Sequence, residues 1–393
     1  MEEIAKLPLP EAFLDFLEAN GLDPSIYTAI DTTPRYIRLK PGSEAEIEEI
    51  KTEINCNLER VNWLASFYSL PHHVHIANSR AYREGKIYGI DAASGAAVLA
   101  LNISVGDHVL DLCAAPGAKL CMISELLGDS GSVTGVDISR DRLAACRTML
   151  QKYNLGDRCR LFVADGTAFS LLPVREHSNL RSCESASQEK EDTYRKWTSR
   201  RPYKERKRAS KARERAASAL VAESDYPELI FYGQDSGVIG LSKSELYQIV
   251  CGNELSNCGY DKVLVDAECT HDGSIRHIQK FEHWGWETLY QRVLQAERSD
   301  SLTSLQLKLL TNGFKLLRVG GLVVYSTCSL TVSQNEDVVQ QFLKENPSAV
   351  LQEIDTAQNW PCKSGRIQKT LRFDSVTSQT SGLFVARFIK LAT

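Results

Sequence analysis

Cys269 in VLVDAECT and Cys328 in LVVYSTCS each follow an apolar run that stops at a small or polar cluster. Such runs are the pattern of strands buried on both faces of a parallel sheet. Neighbouring strands lie roughly 4.8 Å apart. Side by side, the two would present both thiols to one substrate atom in the crevice beyond the strand ends, where open α/β sheets bind ligands. Asp266 lies on the same strand end as Cys269. Two thiols and a carboxylate facing a cofactor site suggest covalent catalysis by one thiol, with release assisted by the other.

The elements that must position these groups alternate from about residue 86 onward. Strands are expected at 108–111, 132–137, 160–165, 262–267 and 321–327, and helices at 118–127, 139–153, 303–318 and 334–345. Strands separated by helices imply βαβ units and a parallel, Rossmann-like α/β sheet. LRFD followed by GLFVARFIKL reads as a terminal strand pair. Residues 1–85 read as a small, mostly helical N-terminal module, with helices from Pro10 to Asn20 and from Ser43 to Ile54 around a strand-like TPRYIRLKPG. The remainder, 86–393, is expected to be one catalytic domain interrupted by an insertion over 174–255, disordered around 183–220, where charge is high and large apolar residues are scarce.

HVLDLCAAPGAKL reads as strand, loop of small residues, helix. Small residues at 113–118 admit a ligand close to the backbone, and the following helix offers free N–H groups. Asp137 and Asp165 end the next two strands. The first is placed to accept ribose hydroxyls, the second to face a nucleobase amino group. The loop fits neither a dinucleotide fingerprint nor a P-loop. A nucleoside cofactor without pyrophosphate suits it, and S-adenosyl-L-methionine is the candidate.

DLCAAPGAK at 111–119, GVDIS at 135–139, ADGT at 164–167, DAECT at 266–270 and YSTCSL at 325–330, in this order, resemble the Sun-type RNA (cytosine-5) methyltransferases of the RsmB/Nop/Sun superfamily. TPRYIRLKPG, YGIDAASG, SQNE at 333–336 and GLFVARF resemble further segments of that family, so the likeness covers roughly residues 33–390 apart from the insertion. The resemblance implies an S-adenosylmethionine-dependent methyltransferase forming 5-methylcytosine in tRNA or rRNA. It implies Cys328 as the nucleophile adding to cytosine carbon 6, Cys269 as the release cysteine, Asp266 as the contact to the cytosine N3 edge, and Lys119 as an orienting cation. By the same matching, Cys113, Ala114, Ala115, Pro116, Gly117, Ala118, Lys119, Asp137, Asp165 and Asp266 would hold the cofactor. The sequence departs from the family's Pro-Cys-Ser at Glu268-Cys269-Thr270, and Ala118 replaces the second glycine of the loop. Glu268 keeps open a second expectation, a catalytically weakened RNA-binding or scaffold homologue. A third, a methyltransferase acting on DNA or protein, is opposed by the intact T-C-S segment and the missing proline beside Cys269.

Composition sets outer bounds. The 393 residues suffice for two or three domains, and 43% hydrophobic with 24% charged residues is ordinary for a soluble protein. No signal peptide, transit peptide or bilayer-spanning run is evident. The 11 cysteines form no regular framework. They read as reduced thiols, and no metal site is expected. Cys113, Cys121, Cys146, Cys159, Cys251 and Cys258 read as small apolar residues. The net charge of −4 hides a basic stretch, 189–215, with 12 Lys/Arg against 5 Asp/Glu. That stretch suits RNA phosphates or a nuclear import signal. The expectation is an RNA partner, no membrane, a monomer, and the nucleus or nucleolus rather than secretion, with the cytoplasm as the alternative. FEHWGWETLYQR at 281–292 sets aromatics among cations, suiting either base stacking or cover for the sheet edge.

Overall fold

A computed structural model describes residues 9–28, 33–175, 194, 227–247 and 258–392. The basic stretch 189–215, apart from Tyr194, lies outside them. Among the described residues, fourteen strands form two sheets. Strands β1 (Arg35–Leu39), β2 (Glu59–Arg60), β3 (Phe67–Leu70) and β4 (Ile87–Gly89) make an antiparallel N-terminal sheet in the order β2-β3-β1-β4. The ten-stranded sheet holds β5 (His108–Asp111), β6 (Ser132–Asp137), β7 (Cys159–Val163), β8 (Glu228–Tyr232), β9 (Tyr260–Asp266), β10 (Leu317–Thr327), β11 (Ala349–Gln352), β12 (Lys363–Ser364), β13 (Leu371–Phe373) and β14 (Leu383–Lys390). Its path runs β12-β13-β14-β10-β9-β5-β6-β7-β8, with β11 also on β14.

The five central strands β10, β9, β5, β6 and β7 pair in parallel, and the edges are antiparallel. Their apolar runs are continuous because both faces are covered. Val109, Leu264 and Val324 join the core beneath helices Ala92–Ala100, Ala118–Leu127 and Arg140–Lys152. Their neighbours Leu110, Val263, Val265, Val323 and Tyr325 join the opposite core, beneath Ala296–Leu316 and Glu336–Glu345. This is the Rossmann-like α/β fold that the alternation predicts, including the β13–β14 pair.

Three differences have physical reasons. Strand β8 lies inside the stretch read as an insertion and adds an antiparallel edge to β7. Helix Ala296–Leu316 begins earlier than 303, through a polar turn that carries no apolar periodicity. Strand β10 begins at Leu317, before a register shift at Gly320 and Gly321 that hides its start. The N-terminal helices appear at Glu11–Asn20 and Ile47–Ile54, but the strands joining them, apart from β1, are too short to read in the sequence. The sheet takes its last strand from residues 87–89, beyond the change of pattern at 85.

The N-terminal sheet docks on helix Ala118–Leu127 through a buried ion pair. Arg38 Nε donates to Glu125 Oε2 at 2.6 Å, and the side chains are only 6% and 3% exposed. Tyr88 donates to the other carboxylate oxygen at 3.1 Å, and Arg38 also reaches the Ala65 carbonyl at 3.1 Å. Burial pushes the Glu125 carboxyl up despite Arg38, so desolvation outweighs the pair's attraction, as is common for buried ion pairs. Removing one partner is therefore worse than removing both. Arg38→Ala is expected to cost about 3–5 kcal/mol in denaturant unfolding, and Arg38→Met with Glu125→Leu much less. A single-variant loss below about 1 kcal/mol would contradict this role.

Candidate active site

The β9–β10 register places Ser326 opposite Asp266, so both strands end at the same level. The chain beyond β9 then delivers Cys269, and that beyond β10 delivers Cys328. Their sulfurs stand 3.2 Å apart. Ser326 Oγ donates to Asp266 Oδ1 at 2.7 Å, and Lys119 Nζ donates to Oδ2 at 2.7 Å from the first turn of helix Ala118–Leu127. The four residues matched to the reaction, Cys328, Cys269, Asp266 and Lys119, therefore meet at one place.

Cys328, Asp266 and Lys119 line a cavity of about 580 Å3 that also reaches the candidate cofactor loop, and Cys269 is buried behind Cys328. Of the ten cofactor candidates, Cys113, Ala115, Pro116, Lys119, Asp137, Asp165 and Asp266 line it. Ala114, Gly117 and Ala118 do not. Ala114 packs in the core, and Gly117 closes the turn: at φ +112°, a Cβ there would sit 3.0 Å from Cys146 Cα. Asp137 is buried and accepts from the Ser139 and Ala115 backbone N–H groups at 2.9 and 3.3 Å. Asp165 is exposed and accepts from Thr167. Ile138, 72% exposed despite its apolar side chain, forms part of the wall beside Asp137. A flat apolar ring flanked by hydrogen-bonding carboxylates fits this lining.

Sequence reasoning missed His271. It follows Cys269 by two residues in a loop without periodicity, and only the Cys-x-His spacing before Asp-Gly signals it. Its Nδ1 lies 2.8 Å from Cys328 Sγ and 3.8 Å from Cys269 Sγ. The Cys328 thiol is lowered to about 6 by the hydrogen bond from Cys269 and by that with His271, against the effect of burial. Burial, then Cys328, pushes Cys269 well up. The hydrogen bond to Cys328 raises His271. For Lys119, burial works against the charge, but Asp266 more than offsets it and the net direction is upward. Burial and the neighbouring Asp266 raise Asp111, beneath the cavity, to about 7.

Cys269, His271 and Cys328 have donor atoms within 4.8 Å of one another, a grouping that a soft metal ion could use. Two ligands on one tetrahedral zinc would stand roughly 3.5 Å (N and S) and 3.8 Å (S and S) apart. The observed 2.8 and 3.2 Å are shorter, so the direct contacts are hydrogen bonds rather than ligand spacings.

Buried polar side chains hold both loops. Gln334 accepts from the Thr270 N–H at 3.1 Å and donates to Thr270 Oγ1 at 2.9 Å. Asp272 accepts from Leu330 N–H at 2.8 Å, and Thr327 donates to Asn335 at 2.6 Å. Glu336 pairs with Arg372, which also donates to the Leu330 carbonyl at 2.6 Å. The SQNE segment is thus the frame on which both cysteines sit.

Glu268 is 55% exposed at the cavity, with Arg298 Nη2 at 3.8 Å. In FEHWGWETLYQR, Phe281 is core, while Trp284 and Tyr290 are 51% and 52% exposed. Lys280 and Arg292 each lie 5.8 Å from the Trp284 ring. His277, which lines the cavity, meets that ring edge-on. Among the described residues no helix is long and apolar enough to cross a membrane.

The parallel sheet, the nucleoside-sized lining at its strand ends and the neighbouring dithiol define a Rossmann-like methyltransferase domain. The family model for 16S rRNA methyltransferase RsmB/F matches residues 98–177 and 242–389, and the chain belongs to this family. It is 28% identical over 253 residues to the mouse 5-cytosine rRNA methyltransferase NSUN4, covering 64% of this chain and 44% of that protein. It is 38% identical over 96 residues to the zebrafish mitochondrial tRNA (cytosine(34)-C(5))-methyltransferase, 24% of each chain. The chain thus spans less than half the length of these curated relatives. The crystal structure of NSun6 from Pyrococcus horikoshii with SFG shares the fold at 14% identity, with a TM-score of 0.65 over 98% of this chain and 99% of that one.

An exposed ion pair 3.8 Å long contributes little. Glu268→Gln is expected to change unfolding free energy by less than about 0.5 kcal/mol. A loss above about 1.5 kcal/mol would give Glu268 a structural part that its position does not explain.

Proposed function

We propose that this protein is an S-adenosylmethionine-dependent RNA methyltransferase that forms 5-methylcytosine through a covalent bond between Cys328 and the base. One observation carries the reading: Cys328, its sulfur 3.2 Å from that of the buried Cys269, lines together with Asp266 the cavity that the cofactor loop also lines. Membership of a methyltransferase family and the names of its relatives support it.

Cytosine carbon 5 is a poor nucleophile until a sulfur adds at carbon 6. Cys328, lowered to about 6, is thiolate at neutral pH and supplies that sulfur. Asp266, fixed by Lys119 and Ser326, would accept from the cytosine amino group, and the Lys119 charge beside it offsets the negative charge that develops on the ring as the sulfur adds. Asp137, Asp165 and the Ile138 face would hold the cofactor's ribose and adenine, beside Cys113 and the Ala115–Pro116 backbone. When bound, the cofactor supplies an electrophilic methyl group. Cys269, held as a neutral thiol, is placed to assist elimination of Cys328.

A cytosine in a stacked helix cannot present carbon 6 to a thiol, so the substrate is a loop or flipped-out base in tRNA or rRNA. Trp284, flanked by Lys280 and Arg292 next to His277, would stack a neighbouring base. Every catalytic group comes from one chain, which supports a monomer as the working unit.

The test is methyl transfer from labelled S-adenosylmethionine to total RNA. Wild type is expected to yield labelled 5-methylcytosine, and Cys328→Ala to lower it on the order of a thousandfold or more. Label in another base, or undiminished label with Cys328→Ala, would overturn the proposal.

A further inference from the structure

We infer that His271 is a catalytic residue whose Nδ1 takes the Cys328 proton, so that the nucleophile rests as a thiolate against an imidazolium. The inference rests on the reading of Cys328 as nucleophile and goes beyond it, since the matched family segments assign His271 no part. Geometry carries it. Nδ1 is 2.8 Å from Cys328 Sγ, a direct hydrogen bond.

The loop holds that contact at some conformational cost. His271 sits at φ +56°, in the left-handed region that a side chain rarely adopts. The residues on either side are pinned: Thr270 by Gln334, and Asp272 by the Leu330 N–H and the Tyr27 hydroxyl. Gly273 follows, donating its N–H to the Cys328 carbonyl at 2.9 Å. A Cβ at Gly273 would fall 2.6 Å from that oxygen, so only glycine brings the loop this close. Strain kept in place by surrounding structure marks functional positions.

The charges facing the pair favour separation. Asp266 and Glu268 lie toward His271 and stabilise its positive form. Lys119 favours the Cys328 thiolate, and Asp266, which opposes it, is itself paired with Lys119. Cys269 is fully buried, and burial with Cys328 and Asp272 keeps its proton on. It therefore serves the thiolate as a donor and leaves His271 as the base. His277, the nearest other ring at 5.3 Å, is drawn down to about 4 by burial and by His271 itself, so it stays neutral and does not compete for the proton.

The proton balance is simple. The Cys328 S–H bond breaks, the proton passes to Nδ1 and the electron pair stays on sulfur. That pair forms the S–C6 bond with cytosine. On elimination a water molecule in the cavity takes the carbon 5 proton, the C–H pair forms the C5=C6 bond, and the C6–S bond breaks with its pair returning to sulfur, restoring the thiolate beside the same imidazolium. His271 is thus charged in the resting enzyme and cannot also accept the carbon 5 proton.

The experiment is alkylation of the folded protein by iodoacetamide without RNA, from pH 5 to 9, following the Cys328 peptide by mass spectrometry. Wild type is expected to react with a half-point near 6. His271→Gln and His271→Asn, in protein that still binds S-adenosylmethionine, should move the half-point upward. Their reaction at pH 7 should slow by roughly 10- to 100-fold, the loss of one charge-assisted hydrogen bond. Wild-type rates and half-point in both variants would overturn the inference. Nitrogen-15 NMR of the unmutated protein needs no variant to fold: a protonated His271 ring at pH 7 supports the pair, and a neutral ring refutes it. Fast alkylation that depends on His271, in a chain that methylates no RNA, would sink the functional proposal and leave the pair standing.

Discussion

The parallel pairing of β9 with β10, in the register that sets Ser326 against Asp266, is the constraint on which the site depends. Backbone hydrogen bonds between two largely buried strands fix their ends to one level. A slip of one residue would turn every apolar side chain to the wrong face, separating Val263 and Val265 from one core and Leu264 from the other. Because that register is held by both cores, the two thiols meet without any contact of their own to draw them together. The loops beyond the strands need only short, fully satisfied polar frames, which Gln334, Asn335 and Glu336 provide.

Within that frame the chemistry is divided by burial and charge. Cys269 and Cys328 are the same residue type 3.2 Å apart, yet environment drives them in opposite directions. The inner thiol is sealed against the core and keeps its proton. The outer one faces the cavity, a donor and an imidazole. Asp111, buried with little to offset it, is pushed towards the neutral form, while Asp266 is gripped by a lysine and a serine. Groups pushed apart in this way can take different parts in one reaction at one pH.

Much of this was legible in the sequence. Apolar runs ending at Asp111, Asp137, Asp266 and Thr327 gave the central strands nearly to the residue, because strands buried on both faces have an unbroken signal. The small-residue loop and the two cysteines were legible from their place at strand ends. The N-terminal sheet was legible only at β1, since β2, β3 and β4 have at most four residues each and draw their stability from partners distant in sequence. β8 hid behind a charged stretch. His271 was hidden because its role comes from backbone geometry: a left-handed residue before a glycine turn. The aromatic segment divided between its two readings, Phe281 in the core and Trp284 at the surface, which helical spacing alone does not resolve.

The measurement that bears most directly on the paired sulfurs is capture of the covalent intermediate. Cys269→Ala protein would be incubated with S-adenosylmethionine and substrate RNA, denatured, digested and analysed by mass spectrometry. If Cys328 attacks the base and Cys269 assists its release, RNA remains bonded to the Cys328 peptide, and the adduct is absent when Cys328 is also replaced. A folded, cofactor-binding Cys269→Ala protein that methylates RNA at the wild-type rate and leaves no adduct, or one whose adduct lies on another residue, would contradict the account.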